Sequence, residues 1–456
     1  MAKAKYPPLI HFQTVSTFLI RLLLVSSLLT TTVVGLGLFE PAGAPYLCVR
    51  PDVRAVGSGY ADTPASTNSR LGFNAGVYHF SQNLPNTNSP LFPIGGQLIA
   101  PTGLLDDTAT DAILMLTLYP MRPGSADGIS DLTDAMISDL ANQLAALNKS
   151  GRRVIVRLAA EMNGNWRVWG QKPTAFIPFW KKVVTAVRAV APQTAFLWSP
   201  NVRGTTAWTP AAAAGTPDFI AMDTNGDGAV NALDDPYTPF YPGDEWVDWV
   251  GLENFYFGLS TTTPANVLPP AGFFQASIRG FGPGTSSFDF YTMFAVNHNK
   301  PFACSECPAV FYGPGPYVGA TGVANGAGEL PIKQNWWRQT ITNASVLSVF
   351  PRLKLWGMFE YAVIEDGVFK NDQVLNASNP TGTLSAFLAD LKSSSISFTN
   401  ANATAGHTTS TAWATSTPAT GSSSSGVARR VWLNSCWSGF VVLPVLVLLH
   451  YLYSGL

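Results

Sequence analysis

The chain has 456 residues, of which 46% are hydrophobic and only 12% are charged, and its net charge is −1. A chain with this balance has no field that would attract nucleic-acid phosphates or an anionic membrane surface. The 13 Trp, 40 Gly and 34 Pro residues indicate a large core with many shaped loops. The length suits two or three average domains or a single α/β barrel.

The amino-terminal segment has the features of a targeting signal. Residues 1–44 contain Lys3 and Lys5, an apolar run and a small-residue site at 42–44. This order is typical of a secretory signal peptide, with an uncleaved signal anchor as the alternative. Either way, the rest of the chain is predicted to enter the secretory pathway.

The carboxyl-terminal segment carries a second signal. Residues 394–426 are rich in Ser and Thr and are predicted to form a disordered stalk. Residues 427–456 are a spacer and an apolar tail behind a small-residue cluster. This pattern is typical of a glycosylphosphatidylinositol (GPI) attachment signal, with Ser424 as the expected attachment residue. A membrane-spanning helix is the alternative. The GPI signal predicts a lipid-anchored protein at the extracellular face of the plasma membrane or in the cell wall.

The cysteines and the glycosylation sequons fit an oxidising compartment. Cys304 and Cys307 form a C-x-x-C pair, which there predicts a local disulfide rather than half of a zinc site. Cys48 is left either free or paired elsewhere. Four Asn-X-Ser/Thr sequons occur at Asn148, Asn343, Asn376 and Asn402.

The folded part, residues 45–393, alternates strand-like and helical segments. Strands are predicted at 71–79, 96–101, 112–119, 153–159, 194–199, 247–256, 301–305 and 353–360. Helices are predicted at 131–148, 173–190, 286–298, 329–344 and 381–391. Continuous apolar strands in β-then-α order belong to parallel sheets that are buried on both faces. The count of eight strands, without a G-x-G-x-x-G turn, predicts an α/β fold of the (β/α)8 TIM-barrel type.

Two carboxylates stand at strand ends that face each other across such a barrel. Glu161 follows the fourth strand and Glu306 follows the seventh. Carboxyl groups about 5–5.5 Å apart across a cleft are the arrangement of a retaining glycosidase, in which one is the acid/base and the other the nucleophile. Side chains suited to stacking on sugar rings or to hydrogen bonding sugar hydroxyls cluster at the same strand ends. They are Asn163, Asn165, Trp166, Trp169, Trp198 and Asn201.

These residues carry a family resemblance. The stretches RLAAEMNGNWRVWG, WSPN and YPGDEWVDWVGLENFYF resemble glycoside hydrolase family 26, the β-mannanase family of clan A, which also contains xylanases and mixed-linkage glucanases. The resemblance implies that Glu161 is the acid/base, Glu306 the nucleophile and Tyr256 a hydrogen-bond partner of Glu306. Ala160 stands where the mannanases have a histidine, which makes the sugar specificity open.

A second motif lies between the fifth and sixth strands. Residues 223–234 read DTNGDGAVNALD, with oxygen donors at the spacing of an EF-hand loop, and they closely resemble a dockerin calcium loop. The predicted ligands of a structural Ca²⁺ ion are Asp223, Asn225, Asp227, the Ala229 carbonyl, Asn231 and Asp234. An Asx- and Gly-rich turn without metal is the alternative.

Together these features predict an O-glycosyl hydrolase that acts on a β-linked polysaccharide of the mannan, glucan or xylan class by double displacement. The chain is expected to be a monomer that binds no nucleic acid and reaches the membrane only through its lipid anchor. The alternatives are a catalytically inactive barrel that binds cell-wall glycans and a wall-remodelling transglycosylase.

Overall fold

The computed structural model describes most of the chain. The described ranges are 36–56, 59–60, 62–85, 103–121, 127–202, 210–258, 264–281, 287–313, 322–365 and 367–404. Within these ranges, no helix is both long enough and apolar enough to cross a bilayer. The signal-peptide residues before 36, the predicted strand at 96–101, the stalk after 404, the tail and Ser424 lie outside the described residues.

Eight parallel strands form the centre of the fold. They are β1 (Tyr46–Pro51), β2 (Val77–Leu84), β3 (Ile113–Pro120), β4 (Val154–Leu158), β5 (Thr194–Trp198), β6 (Trp249–Glu253), β7 (Phe302–Glu306) and β8 (Leu353–Glu360). They close into a barrel in the order β1-β8-β7-β6-β5-β4-β3-β2, with β2 paired back to β1. The prediction of a (β/α)8 TIM barrel is therefore confirmed.

Helices follow most of the strands and cover the outside of the barrel. The described α-helices are α1 (Pro64–Leu71), α2 (Asp134–Lys149), α3 (Pro173–Val190), α4 (Pro217–Met222), α5 (Phe273–Arg279), α6 (Glu329–Gln339), α7 (Ala344–Val349) and α8 (Thr383–Ser393). A turn of π-helix spans Tyr291–Val296. Helix α2 begins after Thr133, whose side chain accepts a hydrogen bond from the Met136 N–H, an N-cap that leaves Asp131 outside the helix.

The described secondary structure also includes two small sheets of antiparallel strands. One pairs Ala55–Val56 with Gly59–Tyr60, and the other has the order Phe311–Tyr312, Val368–Asn371, Ala362–Glu365.

The core has two layers because alternate residues of each strand face opposite sides of the sheet. The barrel interior is filled by one cluster, which includes Cys48, Met115, Ile155, Leu197 and Trp249. The larger cluster lies between the barrel and its helices and contains the intervening strand residues. At the amino end of the barrel, Leu38 and Phe39 pack against the interior cluster.

The elements at the amino-terminal end of the barrel differ from the prediction. The structure has helix α1 at 64–71 and begins β2 only at Val77, whereas a strand was predicted over 71–79. Thr63 caps that helix and Pro64 occupies its first turn, and both favour a helix start. Strand β1 at 46–51 was not predicted as a strand, although it is buried throughout.

In the structure, the folded part also extends beyond both of its predicted ends. The Leu38 carbonyl accepts a 2.8 Å hydrogen bond from the Trp249 indole, so part of the predicted signal peptide belongs to the domain. Residues 394–404 of the predicted stalk pack on it as well. The Thr399 N–H donates to the Pro45 carbonyl, and the Asn402 N–H donates to the Asp111 carboxylate.

The predicted disulfide is not formed. Cys304 and Cys307 are free cysteines, as is Cys48. Cys304 lies within β7, and Cys307 follows the last residue of that strand, Glu306. Burial raises the pKa of the Cys307 thiol well above its usual range, and the neighbouring Cys304 adds to this effect.

Candidate active site

The polar groups of the site come from the barrel interior at the carboxyl ends of the strands. The two-residue period that places Cys48, Val77, Ile155 and Trp249 inside the barrel continues into polar residues further along the same strands. These polar residues are Arg50 on β1, His79 and Ser81 on β2, Thr117 on β3, Arg157 on β4 and Glu253 on β6.

Glu306 faces the same space because β7 carries an irregularity. Leu252 of β6 pairs with Cys304, but Glu253 pairs with Glu306, so one residue of β7 is skipped. Such a bulge turns the following side chain to the other face of the strand. The neighbouring β8 accommodates the bulge with Gly357, where a Cβ atom would lie 2.0 Å from the Ser305 carbonyl oxygen.

Three side chains converge on one oxygen of Glu306. Arg50 donates from Nη1 to Oε1 at 2.5 Å, Arg157 donates from Nη1 to Oε1 at 3.4 Å, and His79 Nδ1 lies 3.5 Å from Oε1. In the part of the chain that the structure describes, Oε2 has no hydrogen-bond partner. The carboxylate is 4% exposed, and it is therefore clamped through one oxygen while the other is available.

The groups around Glu306 are themselves fixed. Arg157 also forms an ion pair with Glu253. His79 contacts Thr117 through Nε2 at 2.7 Å. Burial, together with Arg50 and Arg157, holds the pKa of His79 well below its usual range. The imidazole is therefore neutral at neutral pH and adds no charge beside Glu306.

Glu161 lies three residues beyond β4 in a left-handed backbone conformation with φ 57°, which is strained for a residue other than glycine. Its N–H donates to the Ser199 carbonyl at 3.0 Å. Its Oε1 accepts a 2.7 Å hydrogen bond from Asn201 Nδ2, and its Oε2 accepts from Nε of Arg167 at 2.7 Å and from Nη2 of the same guanidinium.

Four of the predicted substrate-binding residues surround Glu161 in different ways. Asn163 and Asn201 bind each other through the Asn163 side chain and the Asn201 backbone, at 2.9 and 3.0 Å. Trp169 is buried, and its indole donates to the Ala160 carbonyl at 2.9 Å. Trp166 is half-buried, so of these aromatic rings it is the one with a face available to a ligand. The remaining candidate of this segment, Asn165, is exposed.

The structure places Trp198 and Tyr256 away from the carboxylates. Trp198 follows the inward-facing Leu197, so its ring lies outside the barrel, 4.8 Å from the ring of Phe294 between centroids. The resemblance implied a hydrogen bond between Tyr256 and Glu306. The Tyr256 hydroxyl instead donates to the Leu268 carbonyl at 3.0 Å. Both rings are part of the packed core, and their assignment to substrate binding is corrected.

The loop of residues 223–234 is folded by its own side chains. Asp223 accepts hydrogen bonds from the N–H groups of Asp227 and Gly228. Asp234 is buried and accepts from the N–H groups of Thr224 and Asn231. The predicted metal ligands of this loop are all oxygen atoms, the type of ligand that Ca²⁺ binds. Among the described residues, no group of three or more His, Cys, Asp or Glu side chains is arranged to hold a metal.

Sequence reasoning missed Arg50, Glu253 and Arg167 as members of the site. Arg50 could have been predicted from the sequence. It lies two residues after Cys48 and four after Tyr46 in a short apolar run, so it faces the barrel interior as they do. Arg167 lies only six residues after Glu161, but no pattern in the sequence marks it as the partner of that carboxylate.

A closed parallel barrel with buried carboxylates at the carboxyl ends of β4 and β7 has the architecture of a (β/α)8 enzyme. The sequence profile described as Glycosyl hydrolase family 26 matches residues 123–277. This match includes Glu161 and confirms the predicted resemblance, and the chain is a glycosyl hydrolase.

Solved structures of mannanases are also similar to this chain. The catalytic domain of a family 26 endo-β-1,4-mannanase from Bacillus sp. JAMB-750 is 14% identical, with 78% of this chain and 87% of that chain covered and a TM-score of 0.47. A family 26 β-mannanase from Bacteroides ovatus is 14% identical, with 78% and 90% covered and a TM-score of 0.44. No curated protein matches the chain.

Proposed function

We propose that the protein is a retaining hydrolase of β-linked polysaccharides of the mannan, glucan or xylan class, with Glu306 as the nucleophile and Glu161 as the acid/base. The observation that carries this proposal is the asymmetry of Glu306. Its Oε1 is held by Arg50 and Arg157 and approached by His79, while Oε2 has no partner among the described residues. An immobilised carboxylate with one available oxygen is prepared for in-line attack.

In the first half of the reaction, Oε2 of Glu306 attacks the anomeric carbon of the bound sugar. The bond from that carbon to the glycosidic oxygen breaks, and Glu161 gives its proton to the departing oxygen. A glycosyl ester of Glu306 results, and the shortened polysaccharide leaves with a free hydroxyl group.

In the second half, Glu161 accepts a proton from a water molecule, whose oxygen attacks the anomeric carbon from the side that the leaving group vacated. The ester bond to Glu306 breaks, and the sugar is released with its original anomeric configuration. Two inversions give net retention, and both carboxyl groups return to their starting state.

The same proposal includes a place of action. The amino-terminal signal, the Ser/Thr-rich segment and the GPI-type tail favour an enzyme held at the extracellular face of the plasma membrane or in the cell wall. Release of the protein from intact cells by a phosphatidylinositol-specific phospholipase tests the anchor. Protein that stays on the membrane after this treatment would favour the spanning helix instead.

The chemistry is tested with the full-length protein on mannan, xylan, β-1,3-glucan and mixed-linkage glucan, by release of reducing sugar. We expect one polymer class to be cleaved, with the β-anomer formed first in the proton NMR spectrum. Glu161→Gln and Glu306→Gln are each expected to lose at least about 10³-fold in rate, because each removes one chemical step. Glu245→Gln changes an exposed carboxylate and serves as the matched control.

Two results would redirect the proposal. Formation of longer oligosaccharides without net release of reducing ends would identify a transglycosylase, which shares the glycosyl ester but passes it to a sugar hydroxyl. A folded protein that binds one of the polymers and cleaves none would identify the glycan-binding barrel.

A further inference from the structure

The acid/base candidate has an arginine partner within its own loop. Nε and Nη2 of Arg167 both donate to Oε2 of Glu161, and the two side chains are 7% and 2% exposed. This fork holds the carboxylate through one oxygen and so restricts its rotation, as guanidinium–carboxylate pairs do. The other oxygen, Oε1, accepts a single hydrogen bond from Asn201.

Arg167 is itself held in place by two neighbouring aromatic rings. Its guanidinium carbon lies 5.1 Å from the centroid of the Tyr119 ring and 5.5 Å from that of the Trp169 ring, distances at which a cation is attracted to an aromatic face. The Trp169 indole is in turn hydrogen-bonded to the Ala160 carbonyl, next to Glu161. These contacts therefore fix the position of the Arg167 guanidinium beside the Glu161 carboxylate.

The backbone does not fix the carboxylate by itself. Ala159 and Glu161 both have positive φ, 45° and 57°, so the chain turns sharply at this point. The methyl group of Ala160 donates no hydrogen bond. The orientation of the Glu161 carboxyl group thus depends on Arg167 at one oxygen and on Asn201 at the other.

We infer that Arg167 is the positioning residue of Glu161, and that proton transfer runs through Oε1. This inference rests on the proposed function. The guanidinium occupies Oε2 with two donors, whereas Oε1 keeps a lone pair beyond the bond from Asn201. Arg167 acts through Glu161 and touches no reacting atom in this assignment.

The test separates reactions that need a proton from those that do not. A sugar leaving group requires protonation, but 2,4-dinitrophenolate leaves without it, so correct positioning of the acid matters only for the former. The two substrates are the polymer that the wild type cleaves and the 2,4-dinitrophenyl β-glycoside of the disaccharide it releases. The parameter compared is kcat/KM, which reports steps up to the formation of the glycosyl ester.

We expect Arg167→Gln to lower kcat/KM on the polymer by about 10- to 100-fold and to change it by less than about 3-fold on the dinitrophenyl glycoside. Arg167→Lys retains one donor and the charge, and it should lie between the wild type and Arg167→Gln. Arg188→Gln, which removes an arginine paired with Asp248 on the outside of the barrel, should leave both substrates unaffected.

Several results would overturn the inference. Unchanged activity of Arg167→Gln on the polymer would do so, as would equal losses on both substrates, which a purely structural role predicts. If Arg167→Gln unfolds, the same comparison with Arg167→Lys decides. A wild type that cleaves no polymer would remove the proposed function and this inference with it, whereas an active wild type with an insensitive Arg167 removes only the inference.

Discussion

The Arg50 guanidinium contacts the Glu306 carboxylate in the barrel mouth, with Nη1 2.5 Å from Oε1, although the two residues are 256 positions apart in the chain. A second nitrogen of Arg50 donates to the Ser81 hydroxyl at 2.6 Å. The guanidinium carbon also lies 4.9 and 5.0 Å from the ring centroids of Phe359 and Tyr361. The first strand thereby contributes directly to the geometry of the proposed nucleophile.

Replacing Arg50 should therefore reduce catalysis more than stability of the fold. A hydrogen bond to a charged group contributes roughly 1.5–3 kcal/mol, so we expect Arg50→Met to lower kcat by about 10- to 100-fold. Arg50→Lys should recover part of this loss. The measurement is kcat on the cleaved polymer, together with the melting temperature of each variant.

Arg54 provides the matched control for this experiment. It lies four residues further along, forms an ion pair with Asp52 and stacks near Tyr361, but no contact joins it to Glu306. An Arg54→Met variant as slow as Arg50→Met would show that general loss of charge, rather than the contact with Glu306, lowers the rate.

The contrast between Glu161 and Arg50 shows which residues of the site can be predicted from the sequence alone. Glu161 sits in a local motif directly after an apolar strand, so the topology of the barrel places it at the mouth. Arg50 joins the site through contacts with residues far along the chain, and its short strand was not predicted. The barrel class follows from periodicity, whereas such cross-barrel contacts depend on closure.

The face of the strand on which a side chain lies accounts for other differences. Trp198 is adjacent to the inward-facing Leu197, and a shift of one residue moves a side chain to the opposite face of the strand. Glu306 reaches the interior because of the bulge in β7, which its sequence does not announce. The position of Trp198 at a strand end thus led to the wrong assignment, since strand alternation turns its side chain outward, and the inward position of Glu306 depends on a local irregularity.

The two tryptophans give a direct test of that reassignment. Trp166 is half-buried, with its ring packed against Gly164, whereas Trp198 is fully buried among aromatic rings. We expect Trp166→Ala to lower kcat/KM by about tenfold, as the loss of roughly 1.5 kcal/mol of ring contact implies, with little change in melting temperature. Trp198→Ala should instead cost about 3–5 kcal/mol of stability through the cavity it leaves.

Activity and urea unfolding of both variants decide the matter. If Trp198→Ala folded as stably as the wild type and lost sugar binding, its removal from the substrate-binding set would be wrong.

Glu360, at the end of β8, predicts a pH dependence of stability. Burial raises its pKa to about 7 from the ordinary 4.5, against the opposing effects of the Leu375 N–H and Lys333. Between those values the folded state binds more protons than the unfolded state, so the free energy of unfolding falls as pH rises from about 4.5 to 7. The contribution of this group is up to about 3 kcal/mol.

Urea unfolding at pH 5 and pH 7 measures this slope. Asp372, whose pKa burial also raises, contributes in the same direction as Glu360, whereas His79, whose pKa burial lowers, contributes in the opposite direction. The test is therefore the difference between variants: from pH 5 to pH 7, Glu360→Gln should lose less stability than the wild type or gain more, while the exposed Glu245→Gln should match the wild type. A slope identical in all three proteins would contradict the assignment.

The amino-terminal boundary of the domain is open to a similar test. The Trp249 indole donates to the Leu38 carbonyl at 2.8 Å, and Phe39 lies against the interior cluster. A protein that starts at Pro45 leaves this buried donor unpaired, at a cost of about 1–3 kcal/mol. We expect its melting temperature to be several degrees below that of a protein starting at Leu36, and equal melting temperatures would contradict this role of Leu38.

The loop of residues 223–234 supports a last prediction, that Ca²⁺ binds there and stabilises the fold. Asp227 is exposed and Asp223 is half-buried, whereas Asp234 is fully buried; all three accept backbone hydrogen bonds. Replacing Asp234 would therefore destabilise the loop with or without metal. Asp227→Ala removes a predicted ligand with less structural disturbance and is the better variant.

A chelator should lower the melting temperature of the wild type, and excess Ca²⁺ should restore it, because a ligand that binds only the folded state stabilises it by mass action. The melting temperature of Asp227→Ala should respond to neither addition. Mg²⁺ at the same concentration should restore less, since its small octahedral shell fits a flexible oxygen loop poorly. Identical melting of the wild type with chelator and with Ca²⁺ would identify the loop as an Asx- and Gly-rich turn that its own hydrogen bonds stabilise.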